Sequence, residues 1–163
     1  MENNKKGVLK KILRFFSFVV LAIFTQFLIL NILPLHLNNV DIFLILSAIF
    51  VLKGDYRESL PFLFFSMYVD EIIFPIAKIN GVKTLSALIF GYIFYQIFKR
   101  IVLKGWLLCF TVAVYCFVVF VFTKLFLYFL GYASMVFDMV DYVFLFLNSF
   151  LLTCFINRKL NVW

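Results

Sequence analysis

Two adjacent carboxylates, Asp70 and Glu71, stand inside an otherwise apolar stretch, LPFLFFSMYVDEIIFPIAKINGVKTLSALIFGY, that covers residues 60–92. Paired acids can act as general acid and base, or pass protons or cations along. Neighbouring residues on a helix point about 100° apart, however, so this pair does not converge on one reacting atom. A charged side chain near the middle of a bilayer costs about 2.5–3.5 kcal/mol on insertion scales, which makes each acid here need a partner or a water-filled recess. Pro75 follows four residues after Glu71. It cannot donate to the carbonyl of residue 71 and its ring clashes there, so the helix stops or kinks just beyond the acids. Broken backbone at membrane depth survives only under protein or water. Either a short helix ends at the acids beneath a watery recess, or a kinked helix continues to Ala77.

Lys124 is the one basic residue well inside an apolar run. It lies about 10 Å from the outer end of its span. Three roles stay open for it: its stem snorkels to the interface, it pairs with Asp138 or Asp141 across the next turn, or it neutralises Asp70 or Glu71. Asp70, Glu71 and Lys124 are therefore the candidate polar site. Other chemistry has little to build on. The lone histidine, His36, falls in a polar turn and reads as solvated. Cys109, Cys116 and Cys154 all lie in apolar runs with no CxxC spacing, and they read as small buried hydrophobes rather than metal ligands. One stranded histidine makes no catalytic triad, and six glycines leave no phosphate loop. The expectation is a protein without catalytic residues, metal or cofactor.

The elements that must position these residues are set by composition. The chain is 66% hydrophobic over 163 residues and only 14% charged, so its outside is not built to face water. It reads as an all-α integral membrane protein forming one transmembrane domain, residues 1–163. The net charge of +7 does not point to nucleic acid, because the basic residues gather at the ends of apolar runs, where they set topology. The 25 phenylalanines read as lipid-facing bulk.

Six spans are expected, at about 15–33, 40–52, 60–77, 84–98, 105–130 and 141–156. The first follows Lys5, Lys6, Lys10, Lys11 and Arg14, a cluster that favours the cytoplasmic face and anionic headgroups. It is too long for a signal-peptide core and no small-residue cleavage site follows, so it reads as a retained span. PLHLNNVD, which ends at Asp41, reads as an outer turn. KGDYRE is an inner turn, and KINGVK is an outer loop holding Lys78, Gly81 and Lys83. On this scheme twelve of the fifteen basic residues are inside, and both termini are cytoplasmic. Trp106 falls near the inner interface, and Tyr128, Tyr132 and Tyr142 fall near the outer one. Segments 40–52 and 60–75 are short for full crossings. Thr25, Gln26, Ser86, Gln96, Asn148, Ser149 and Thr153 lie in the spans, where bonding between helices is the default role. Gly91 reads as a site of close helix approach.

This layout resembles the rod shape-determining protein MreD family. That family is a small six-span bundle of about this length with a basic N-terminus. Its loose pattern is an apolar run, an Asp, a polar turn with a Gly, and an apolar helix with another Gly. Residues 62–69, Asp70, Gly81 and Gly91 stand in those places, preceded by KGDYRE. The resemblance implies a non-enzymatic component of the bacterial inner membrane, part of the cell-elongation machinery. It would partner MreC and, through it, the cytoskeleton and the enzymes of sidewall peptidoglycan synthesis, with membrane lipids around it. It also implies an architecture similar to the S components of energy-coupling-factor transporters. A vitamin-binding S component is the alternative function, although span 1 offers only Ala22 toward the docking motif of such proteins. A small ion-coupled transporter would rest on Asp70 and Glu71 alone.

Overall fold

A computed structural model describes residues 17, 19–28, 41–53, 56–75, 80–101, 103–132 and 139–160. Among these residues the chain is all-helical, with no strand. Six helices follow in order: α1 (Val19–Leu28), then α2 (Ile42–Lys53), α3 (Tyr56–Ile73), α4 (Val82–Phe98), α5 (Gly105–Phe129) and α6 (Met139–Leu160). Two of them, α5 and α6, are long and apolar enough to cross a membrane. The 25 residues of α5 make a rod of about 37 Å. The 12 residues of α2 reach about 18 Å, well short of the ~30 Å hydrocarbon core.

Consecutive helices run antiparallel from α2 onward. Phe50 stacks on Phe62 and Ser47 reaches Met67 between α2 and α3. Phe94 meets Tyr115 and Phe90 meets Phe122 between α4 and α5. Phe110 meets Phe146 and Phe117 meets Tyr142 between α5 and α6. The α2–α3 and α4–α5 junctions and the end of α6 therefore share one end of the bundle. The start of α2, the end of α3 and the start of α4 share the other.

Burial assigns the helices different positions. Ile42, Phe43, Leu44, Ile45, Ala48, Ile49 and Val51 put nearly the whole circumference of α2 in the core, as expected of a helix that is apolar all round. By contrast, α6 exposes Val143, Leu147, Leu151 and Phe155, and packs chiefly on α5. Close approach of α3 and α4 depends on Gly91, where a Cβ would come within 2.8 Å of Leu63 Cδ2. Any larger residue would have to displace the fully buried Leu63.

The structure departs from the sequence-based expectation in three places. Helix α3 begins at Tyr56 rather than near residue 60, and stops at Ile73 with Pro75 two residues on. The break after the acids is thus a helix end. The loop between α3 and α4 ends earlier than expected, because Val82 and Lys83 already belong to α4. Finally, most hydroxyls in the apolar helices bond back along their own helix. Thr25, Ser86 and Thr153 each reach the carbonyl four residues earlier, as do Thr111 and Thr123. A short side chain finds its own i−4 carbonyl before it can reach a neighbour. Gln26 does cross between helices, accepting the backbone N–H of Ile42 at 3.0 Å.

Candidate functional site

The first turn of α4 has no cap of its own. Its N-cap residue, Gly81, has a left-handed backbone (φ 102°) and no side chain to offer the orphan N–H groups that open every helix. Glu71, at the end of α3, supplies the missing acceptor from across the turn. Its Oε2 accepts the N–H of Gly81 at 2.9 Å and of Thr84 at 3.1 Å, and its Oε1 accepts the N–H of Lys83 at 2.7 Å. The Thr84 hydroxyl donates to Oε2 at 2.5 Å. A carboxylate at a helix N-terminus also meets the positive end of the helix dipole. Glu71 is thereby held by four donors and is buried.

That cap brings the next side chain inward. Lys83, which a loop would leave in water, is pulled into the first turn of α4 and is buried there. Its ammonium donates to Asp70 Oδ2 and forms a second ion pair with Asp41 Oδ2. Asp70 is 1% exposed. Asp41 immediately precedes α2 and caps it, its Oδ1 accepting the N–H of Leu44 at 2.9 Å. Its Oδ2 reaches the ammonium without hydrogen-bond alignment. Three carboxylates and one ammonium thus join the starts of α2 and α4 to the end of α3. Just below, the buried Tyr115 of α5 donates its hydroxyl to the carbonyl of Ala87 at 2.8 Å. Asp41, Asp70, Glu71 and Lys83 are thus engaged with one another and with helix termini.

Of the residues singled out from sequence, the structure brings Asp70, Glu71 and Gly81 together, and places Gly91 on the same α3–α4 interface. It does not bring Lys124 to them. The Lys124 ammonium lies 5.5 Å from the centre of the Phe120 ring, one turn earlier on α5. Among the described residues no ion pair involves it. Asp138 lies outside the described residues, as do His36 and Lys78. The partner of Asp70 is Lys83, because the α3–α4 hairpin register that sets Glu71 against residues 81–84 also sets Lys83 beside Asp70. Sequence reasoning missed Lys83 and Asp41. A signal existed for both, since each sits at the first polar–apolar boundary of a helix rather than mid-loop.

Among the described residues no three His, Cys, Asp or Glu side chains are grouped to hold a metal ion. Cys109, Cys116 and Cys154 are free thiols. A groove between α5 and α6 is lined by Val114, Phe117, Met139, Val143, Phe146 and Leu147 with Tyr142, and so offers apolar contact rather than reactive groups. No protein-family model matches the chain, and no curated protein or solved structure matches it. Fold and site together define an all-helical protein, two of whose helices can cross a membrane, with a buried ionic joint at one end.

Proposed function

We propose that the chain is a non-enzymatic, multi-pass component of a bacterial inner membrane that acts as a scaffold in cell elongation, as MreD-family proteins do. In this role it supports MreC and sidewall peptidoglycan synthesis. All six helices lie in the membrane and both ends of the chain are cytoplasmic. One observation carries most weight: the residues of the resemblance, Asp70, Gly81 and Gly91, fold into a single α3–α4 joint whose charges are consumed in holding helices. Acids committed to helix caps and a buried ammonium suit a rigid scaffold better than a relay of protons or ions, which needs groups free to exchange partners. The placement of Lys53, Lys99, Arg100, Lys104 and Arg158 at one end of the bundle fits a cytoplasmic face.

The test is co-isolation. The tagged chain, extracted from its own membranes in mild detergent, is expected to retain MreC, identified by mass spectrometry. Retention of a transporter ATPase in place of MreC would overturn the scaffold role and support the S-component alternative.

A further inference from the structure

The end of the bundle opposite the ionic joint gathers more basic than acidic residues, Asp55 and Glu58 being the acids close to Lys53 in sequence. Here α2, α4 and α6 finish and α5 begins, and Lys53, Lys99, Arg100, Lys104 and Arg158 are all exposed. Lys53 donates to Asn157 Oδ1 at 2.8 Å, and Lys99 donates to Gln96 Oε1 at 2.5 Å. Both acceptors are neutral amides, so neither bond supplies a counter-charge. Among the described residues no ion pair involves any of the five. Their positions converge. The antiparallel register fixed by Phe117 on Tyr142 and Phe110 on Phe146 carries Lys104 toward Arg158. The Lys53–Asn157 bond ties the last residue of α2 into the same cluster.

Beneath these cations lies an exposed apolar band. Trp106, two residues from Lys104, is 71% exposed, and Phe155, one helical turn before Arg158, is 65% exposed. Cations set directly above apolar side chains match an amphiphile whose anionic head adjoins its acyl tails. An acidic soluble protein or a free phosphate would engage the cations alone, without the apolar side chains beside them.

We propose that this end of the bundle binds an anionic phospholipid, with the headgroup phosphate held by Lys53, Lys104 and Arg158 and the acyl chains lying against Trp106 and Phe155. The site rests on the membrane placement proposed above and is independent of the wall-elongation role. For the test, the full chain is reconstituted into vesicles of mixed phosphatidylcholine and phosphatidylglycerol, re-extracted in mild detergent and analysed by native mass spectrometry. Retained lipid is expected to be enriched in phosphatidylglycerol. A basic residue near an anionic surface contributes such that Lys104→Gln or Arg158→Gln should each lower that enrichment about fivefold. Lys124→Gln, in the other half of α5, should leave it unchanged, and unaltered far-ultraviolet circular dichroism should show that the variants keep their helices. Equal retention of the two lipids, or full enrichment in the Lys104→Gln, Arg158→Gln double variant, would overturn the site. Displacement of the lipid by excess inorganic phosphate would reassign it to the free anion. Failure of the chain to enter vesicles would instead overturn the membrane placement on which the site rests.

Discussion

Replacing Lys83 with methionine probes the ionic joint directly. The change keeps the length of the side chain and removes its charge, leaving Asp70, at 1% exposure, without its ammonium and Asp41 with only the Leu44 N–H on its other oxygen. Stranding a buried charge by deleting its partner costs about 3–5 kcal/mol. Neutral hydrogen bonds between membrane helices average only about 0.6 kcal/mol. Lys83→Met should therefore destabilise the bundle several times more than the loss of an ordinary polar contact. The assay is reversible unfolding in mixed detergent micelles, followed by circular dichroism, with Asp70→Asn and the double variant completing a cycle. The double variant should be more stable than Lys83→Met alone, because the more deeply buried of the two stranded carboxylates is gone. A Lys83→Met protein within about 0.5 kcal/mol of the parent, the range typical of surface changes, would refute the buried joint.

Other outcomes follow from the same geometry. Gly91→Ala puts a methyl 2.8 Å from Leu63 Cδ2, and the overpacking of this fully buried side chain should outweigh the ~1 kcal/mol that alanine gains over glycine in a helix, for a net loss of up to about 2 kcal/mol in the same assay. Lys124→Met, by contrast, removes only a contact with Phe120 and should cost less than about 1 kcal/mol. Reporter fusions after Asn39, Gly81 and Ala133 should read outside and one after Gly54 inside, with an inside signal after Gly81 turning α3 into a re-entrant segment.

How much of this was legible in the sequence varies by element. The long apolar runs of α5 and α6 and the stop after Asp70 and Glu71 follow from local chemistry, since length, hydropathy and a proline act within a few residues. Gly91 stood out because it is small within a bulky apolar run. The ion pairs were hidden for a different reason. Lys83 and Asp41 occupy stretches that read as outer turns, and the burial of Lys83 depends on an acceptor, Glu71, that reaches α4 only after the α3–α4 hairpin has closed. Lys124 drew attention by its position in an apolar run, yet a long aliphatic stem and a ring one turn away make a local home for such a charge. The near-complete burial of α2 was equally hidden, because an all-apolar helix carries no stripe to tell a core position from a lipid-facing one.

The most direct test of the proposed scaffold role is cell shape under verified depletion of the protein in a rod-shaped bacterium that encodes it, with new wall marked by a fluorescent D-amino acid and vitamin uptake followed in parallel. Scaffolding of elongation predicts that the rods round up and lose sidewall labelling while vitamin uptake is unchanged. Rods that persist with normal sidewall labelling while a vitamin requirement appears would contradict it.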